Sequence, residues 1–257
     1  MANQTANGFP RIHCPWSTPV LVAHVKRGHE QRRRSIESQL GRLGLDFEFM
    51  LDGDIEDIDD ETSARWFAAS FPAGPVQSCA CKHLLMYRRI VERGWPGALI
   101  LEDDIFLANH FVSVLAASLD EMLDRCPDAV RSCWISYENS TLRAPPRGAL
   151  RRGQLLYRAA MTRCAGAYYV GEGAARALLE TASTDKVDRP IDRWVDGLAE
   201  RLHDSLQIYW CHPAVAEQGS MNGHFDSMDP RRTAGLWRRA KWTADKWYKS
   251  VVLRRAA

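Results

Sequence analysis

The stretch Gly97-Ala98-Leu99-Ile100-Leu101-Glu102-Asp103-Asp104 passes from wholly apolar to wholly acidic within eight residues. Its apolar part is short and uninterrupted, which is typical of a strand buried on both faces of a parallel sheet. Similar short runs alternate with helical patterns along the chain, and this alternation predicts an α/β fold with a mostly parallel central sheet flanked by helices. In such sheets ligands bind beyond the carboxyl ends of the strands. The acidic triplet therefore lies at the mouth of a predicted site.

The remaining elements are predicted from the period of the apolar residues. Short apolar runs predict strands over 20–25, 47–50, 132–136, 165–170 and 206–210. Apolar residues at helical spacing predict helices over 30–43, 79–93, 109–124, 173–182 and 190–203. The helix over 79–93 carries on one face Cys79, His83, Met86, Tyr87 and Ile90.

Length and composition exclude several classes of protein. The 257 residues are 46% hydrophobic and 26% charged, which fits a folded enzyme rather than a disordered chain. No run approaches the roughly 18 apolar residues of a membrane span, and the polar first ten residues do not predict a secretory signal. Seven cysteines in a chain of this length predict reduced cytosolic thiols rather than a disulfide scaffold.

The net charge of +2 combines an acidic body with a basic tail. Residues 231–257 contain nine basic residues and one acid, so the rest of the chain carries −6. Residues 236–253 lack glycine and proline and predict an amphipathic helix whose tryptophans and basic residues suit an anionic membrane surface. A terminal helix that packs its tryptophans on the body is the alternative. No nucleic-acid module accompanies the tail.

Two acidic segments are candidates for cation binding. Three adjacent carboxylates after a buried strand repel one another, and Mg²⁺ or Mn²⁺ would offset this repulsion. The alternative is a solvated turn that caps the next helix. Residues 52–61 contain seven acids in ten positions, but these do not follow the spacing of an EF-hand, so a solvated acidic loop is predicted there.

Three blocks between residues 20 and 220 resemble the bacterial glycosyltransferases of family 25. The first block is Val22-Ala23-His24-Val25-Lys26-Arg27 with Arg32-Arg33-Arg34. The second is Cys79-Ala80-Cys81-Lys82-His83-Leu84, followed by the strand and its triplet Glu102-Asp103-Asp104. The third comprises Gly166-Ala167-Tyr168-Tyr169-Val170, Pro190-Ile191-Asp192 and residues 213–218.

The chain departs from the family pattern at three places, all near the expected donor pocket. His24 replaces an asparagine, Pro75-Val76 replaces a Gly-Glu pair, and Lys82 replaces a serine. These departures keep open a second hypothesis, a glycosyltransferase-like protein that binds a nucleotide sugar or a partner without turnover. A metal-dependent phosphohydrolase is a third hypothesis.

The resemblance implies a GT-A-like catalytic domain over 18–228, between a loose lead-in over 1–17 and a basic, tryptophan-rich helix over 229–257. It implies inverting transfer from a UDP-sugar, UDP-galactose first and UDP-glucose next, to a lipid-linked or lipopolysaccharide-core acceptor. A cytoplasmic protein, peripherally associated with the inner face of the membrane, is then expected. The leaving diphosphate requires compensation of its charge. Mn²⁺ or Mg²⁺ is the expected cofactor, with three ligands: Glu102, Asp104 and His224.

Further site residues are expected on the same basis. Asp103 is expected to support the ligands or to contact the ribose, and Asp192 to act as catalytic base, with Asp188 and Asp196 as competitors. Donor contacts are expected from His24, Arg27, Arg33 and His83. A surface arginine and a buried core histidine are the alternatives for Arg33 and His83. Cys79 and Cys81 form a Cys-x-Cys pair without a second pair, so buried thiols are predicted rather than a zinc site.

Overall fold

The computed structural model of the chain describes residues 18–226 and 235–248. The strands are β1 (Val20–Ala23), β2 (Glu48–Met50), β3 (Gly97–Glu102), β4 (Ile105–Leu107), β5 (Cys133–Ser136), β6 (Leu156–Arg158), β7 (Ala167–Gly171), β8 (Gln207–Cys211) and β9 (Ala216–Gln218). The helices are α1 (Glu30–Leu43), α2 (Asp60–Trp66), α3 (Pro75–Glu92), α4 (Phe111–Arg125), α5 (Glu172–Thr184), α6 (Ile191–Leu198), α7 (Gly219–Asn222) and α8 (Leu236–Trp247). The predicted lead-in over 1–17 lies outside the described residues.

Seven strands form the central sheet in the order β2-β1-β3-β7-β5-β8-β6. The neighbours β1–β2, β1–β3 and β5–β8 are parallel, whereas β7 and β6 run antiparallel to their neighbours. Five of the seven strands therefore point the same way, which confirms a mixed α/β fold with a mostly parallel sheet. A separate pair, β4–β9, lies beyond the end of β3.

Helices cover both faces of the sheet, and two hydrophobic clusters form there. Alternate residues of β3 enter different clusters: Ile100 packs on the face that contains Tyr87, and Leu99 packs on the face that contains Leu115. This alternation is the consequence of the two-residue repeat of a strand. Burial on both faces explains the uninterrupted apolar run that predicted β3.

Several element boundaries differ from the prediction for local reasons. The helix α3 begins at Pro75, four residues before the predicted start, because proline fits the first turn and Gly74 precedes it. The helix α6 ends at Leu198 rather than near residue 203. The strands β4, β6 and β9 have three residues each, too few to show a period. In contrast, α1 ends as predicted, at a left-handed Gly44 with φ of 67°.

The segment over 52–61 is solvated for the most part, as its composition predicts, because five of its seven acids are exposed. Asp54 is 5% exposed, a short 3₁₀ turn follows it, and α2 begins at Asp60. The buried Asp54 forms an ion pair of 2.8 Å with the buried Lys82 of α3. Lys82 also donates to the carbonyl oxygens of Leu51 and Asp52. The prediction was wrong for Asp54, because its counter-ion lies in a distant part of the sequence.

The helix α8 lies within the range predicted for the tail helix, and residues 227–234 and 249–257 are outside the described ranges. The indole nitrogen of Trp242 donates to Glu217 at 3.3 Å, and Lys246 pairs with the same carboxylate. Leu236 and Trp237 are at least 80% exposed. In the described part of the chain, no helix has the length and apolarity needed to cross a membrane. The six cysteines described are free thiols, as predicted.

Candidate active site

The end of β1 and the start of α1 surround Asp103. His24 Nδ1 lies 2.6 Å from one carboxylate oxygen, and Arg32 Nη1 lies 3.4 Å from the other. Burial by itself would raise the pKa of Asp103, but contacts with His24 and His29 and the charge of Arg32 outweigh it and hold that pKa at about 2. Asp103 is therefore ionised and held by cationic or polar partners.

Asp104 is buried against the turn that follows β9. Its Oδ2 accepts from the backbone N–H of Ser220 at 3.0 Å, and its carbonyl oxygen accepts from Gly219 N–H at 2.7 Å. Only glycine fits at 219, since a Cβ there would lie 2.8 Å from that carbonyl oxygen. The other oxygen, Oδ1, is buried without a hydrogen-bond partner among the described residues. Burial and the negative charge of Glu102 raise the pKa of Asp104 to about 6.

Glu102 is the last residue of β3, and its side chain is 21% exposed. Its Oε2 accepts from Gln218 Nε2 at 2.7 Å. Its Oε1 lies 3.6 Å from Cys79 Sγ and 3.4 Å from His83 Nε2. Glu102 therefore connects the carboxyl end of β3 with both α3 and β9.

Glu138 is a fourth carboxylate at this edge, and the sequence analysis missed it. It follows β5 and is fully buried, accepting from Gly166 N–H at 2.9 Å and from Ser140 Oγ at 2.6 Å. Burial raises its pKa to about 7, and the charges of Glu102 and Asp104 act in the same direction. Its position in the sequence could have revealed it. Glu138 is the first acid after the strand predicted over 132–136, and the carboxyl end of that strand lies at the same edge of the sheet as the triplet.

Asp192 lies in the first turn of α6, and its Oδ1 accepts from the N–H of Arg193 at 2.8 Å. Burial raises the pKa of Asp192, and the charge of Glu102 raises it further. This electrostatic coupling brings Asp192 into the same cluster as Glu102. Its Oδ2 has no hydrogen-bond partner among the described residues.

The two competitors for the role of Asp192 are already engaged. Asp188 forms a two-point ion pair with its neighbour Arg189. Asp196 accepts from the backbone N–H and the hydroxyl of Thr162, at 2.6 and 2.9 Å. Asp192 and Asp196 therefore each keep one oxygen for a ligand, and the electrostatic coupling with Glu102 favours Asp192.

The other predicted residues are divided between the cluster and the surface. His83 is buried in the cluster, with Nδ1 2.6 Å from the hydroxyl of Tyr168. Arg27 is exposed, and Arg33 is an exposed residue that pairs with Glu37 at 2.9 Å. His224 is exposed and lies 2.7 Å from Asn222 Oδ1. In the ranges described, no hydrogen bond or ion pair connects His224 with the acidic triplet.

A cavity of about 470 Å³ lies beside α2 and α3, away from the acidic triplet. Its walls include Asp57, Glu61, Arg65 and Arg88. None of the predicted site residues lines this cavity.

The donor set at the end of β3 fits a hard divalent cation. Glu102 and Asp104 provide carboxylate oxygens, the ligand type that Mn²⁺ and Mg²⁺ prefer. The buried, unpartnered Oδ1 of Asp104 is the observation that supports this fit, because an uncompensated buried carboxylate oxygen is costly.

Comparison with known proteins identifies the family. The model of glycosyltransferase family 25, described as an LPS biosynthesis protein family, matches residues 18–195. The match covers more than two thirds of the 257 residues and includes the acidic triplet, Glu138 and Asp192. A search of curated proteins gives no match. The chain therefore belongs to glycosyltransferase family 25, as its sequence blocks predicted.

Proposed function

We propose that this chain is an inverting, metal-dependent glycosyltransferase with a GT-A-like domain over 18–228. The proposed donor is UDP-galactose, with UDP-glucose as the next candidate, and the proposed acceptor is a cell-envelope glycan such as lipopolysaccharide core. Family membership supports sugar transfer in lipopolysaccharide biosynthesis. The observation that carries the metal-dependent mechanism is the buried, unpartnered Oδ1 of Asp104 at the carboxyl end of β3.

Glu102 and Asp104 are the residues proposed to hold Mn²⁺ or Mg²⁺. The bound cation would offset the charge that develops on the leaving nucleoside diphosphate. Gln218, at the end of β9, and the backbone N–H of Ser220 orient the two carboxylates. We do not extend the ligand set to His224, since its described contacts are with Asn222 and the ring of Phe106.

The donor is proposed to bind at the carboxyl end of β1. Asp103 holds His24 and Arg32 there, and His24 is the residue that replaces the usual asparagine of the family. Arg27, exposed after β1, is the proposed phosphate contact. Arg33 is engaged with Glu37 and lies 4.9 Å from the centre of the Phe49 ring, which supports a surface role instead.

Asp192 is the proposed base for the acceptor hydroxyl. Inversion requires removal of the hydroxyl proton on the face of the sugar opposite the leaving group. The hydrogen bond from Arg193 N–H orients one oxygen and leaves the other for the acceptor. A raised pKa makes this carboxylate a better proton acceptor than an exposed aspartate.

The test is an assay of the purified full chain with Mn²⁺, a panel of nucleotide sugars and a lipopolysaccharide-core acceptor. We expect UDP-galactose to be consumed fastest and an Asp104→Asn variant to lose at least about a hundredfold in rate. Asp59→Asn, at the exposed N-cap of α2, is the control that should retain activity.

Two results would contradict the proposal. Failure of the wild-type chain to bind or hydrolyse any nucleotide sugar would exclude the donor. Full activity of the Asp104→Asn variant would exclude the metal assignment. Tight nucleotide binding without transfer to any acceptor would instead support the second hypothesis, a binding protein without turnover.

Attachment of α8 to an anionic membrane surface belongs to the same proposal, because a lipid-linked acceptor is itself in a membrane. Exposed Leu236, Trp237 and Trp247 support this role, as does the basic composition of the tail. Truncation before Arg231 should weaken binding to anionic vesicles more than it weakens donor binding. Equal loss of both would show that the helix is part of the folded core.

A further inference from the structure

Cys79, His83 and Glu102 converge at the junction of α3 and β3. Cys79 and His83 are four residues apart and so lie on one face of α3. One ligand atom from each of the three side chains lies within 4.8 Å of the other two. The cluster combines a thiol, an imidazole and a carboxylate, a different donor set from the Glu102–Asp104 pair.

Two of the three separations between ligand atoms match those of a tetrahedral metal centre. Zinc binds sulfur at about 2.3 Å and nitrogen or oxygen at about 2.1 Å, so tetrahedral angles place the ligand atoms roughly 3.3 to 3.6 Å apart. The distance from Glu102 Oε1 to Cys79 Sγ is 3.6 Å, and that to His83 Nε2 is 3.4 Å.

The surroundings of His83 favour ligation through Nε2. Nδ1 lies 2.6 Å from the Tyr168 hydroxyl, which lies 2.9 Å from the Tyr87 hydroxyl. With the proton on Nδ1 and donated to Tyr168, Nε2 presents its lone pair toward Glu102. Metal-binding histidines are commonly fixed in this way by a partner on the other ring nitrogen. Nε2 is buried and has no hydrogen-bond partner among the described residues.

We propose that Cys79, His83 and Glu102 form a binding site for a zinc-like divalent cation. The mixed sulfur, nitrogen and oxygen donors favour Zn²⁺ over the hard cations Mn²⁺ and Mg²⁺. Binding releases the thiol proton of Cys79 to solvent, because the thiolate is the ligand. Three protein ligands leave a fourth position for water or another small donor. Gln218 fixes the remaining oxygen of Glu102.

This site does not depend on the proposed sugar transfer. Because Glu102 belongs to both donor sets, Zn²⁺ bound here removes an oxygen ligand from the site proposed for Mn²⁺. Zinc is therefore expected to inhibit a manganese-dependent reaction at this edge of the sheet.

Cobalt titration of the metal-free full chain tests the site directly, since Co²⁺ replaces Zn²⁺ and reports a thiolate ligand by absorption. We expect one equivalent of Co²⁺ to give a thiolate charge-transfer band in the near ultraviolet, and Zn²⁺ to displace it. Cys79→Ser should abolish the band and weaken Zn²⁺ binding by at least about tenfold. Cys81→Ser, two residues away on the same helix and outside the cluster, is the matched control.

Two further variants separate the possible outcomes. Asp104→Asn should retain the cobalt band, so loss of sugar transfer in that variant does not affect this inference. Tyr168→Phe should weaken Zn²⁺ binding about tenfold or more while the band remains, because it removes the partner of His83 Nδ1. Circular dichroism establishes that each variant is folded. Absence of the band in the wild-type chain, or its persistence in a folded Cys79→Ser variant, would overturn the proposal.

Discussion

Two acidic regions of this molecule have similar composition and opposite environments. The segment over 52–61 has the greater density of acids, with seven in ten residues. The strand-end cluster consists of the contiguous triplet Glu102, Asp103 and Asp104 together with Glu138, which joins them only in the folded chain. The sequence predicts a solvated loop for the first region and a cation site for the second.

In the segment over 52–61, the two least exposed carboxylates, Asp54 and Asp57, have partners within the protein. Asp54 pairs with Lys82 at 2.8 Å and accepts from Lys26 N–H at 2.9 Å. Asp57 accepts from two backbone N–H groups at 3.0 Å each, and a hydrogen bond from Lys26 lowers its pKa. These acids hold a turn together, and their charge is compensated there.

In the strand-end cluster two carboxylates face other carboxylates. Burial raises the pKa of Asp104 to about 6 and that of Glu138 to about 7, and neighbouring negative charges add to both shifts. Asp103, the member with a histidine and an arginine as partners, has a lowered pKa instead. The comparison teaches that burial without a counter-ion, rather than the number of acids, distinguishes a candidate cation site from a structural turn.

The largest expected effect concerns the compensated region. Lys82→Met leaves Asp54 buried without its counter-ion, and we expect the free energy of unfolding to fall by about 3 to 5 kcal/mol in urea denaturation. The double variant Lys82→Met/Asp54→Asn should recover much of this loss. If the free energy of unfolding of the Lys82→Met variant lies within about 1 kcal/mol of the wild-type value, Asp54 is not held by Lys82.

Glu138 should make stability depend on pH in the opposite direction to Asp57. Its folded pKa of about 7 lies above the ordinary value of 4.5, so the folded state is favoured at low pH and this contribution is lost as pH rises through 7. Glu138→Gln should remove this loss. Between pH 5 and pH 8, the free energy of unfolding of the variant should therefore rise relative to that of the wild type by on the order of 1 to 3 kcal/mol. If the free energy of unfolding depends on pH in the same way in both proteins, Glu138 is not a buried, uncompensated carboxylate.

The smallest effect is expected at Asp57. The pKa of Asp57 is lowered in the folded state. Its contribution to the free energy of unfolding is therefore present above the ordinary pKa of an aspartate and is lost as pH falls. The side chain is partly exposed, and solvent screening limits the cost of Asp57→Asn to at most about 1 kcal/mol near neutral pH. Thermal unfolding between pH 3 and 7 measures it, and a variant that becomes relatively less stable as pH falls would reverse the assigned sign.

The sequence predicted those parts of the fold that depend on local pattern. The apolar run of β3 and its acidic end were recognised because both are contiguous, and α1 because its period and its final Gly44 lie in one segment. The Lys82–Asp54 pair joins residues that are far apart in the chain, so the composition of residues 52–61 predicted the wrong environment for Asp54.

Only part of the candidate site was predicted, because the rest depends on contacts between segments that are far apart in the chain. The shared face of Cys79 and His83 follows from helical spacing, but the approach of Glu102 to that face depends on how α3 packs on the sheet. Gln218 reaches Glu102 through β9, which is too short to predict. Glu138 was overlooked although its position after a predicted strand was visible.

Manganese binding in the presence of UDP, followed by electron paramagnetic resonance, distinguishes the two acidic regions directly. The wild-type chain should bind one Mn²⁺ more tightly with UDP than without it. Asp104→Asn should weaken that binding by at least about tenfold, whereas Asp57→Asn should leave it unchanged. Wild-type affinity in Asp104→Asn, or loss of binding in Asp57→Asn instead, would contradict the assignment of the cation to the strand-end cluster.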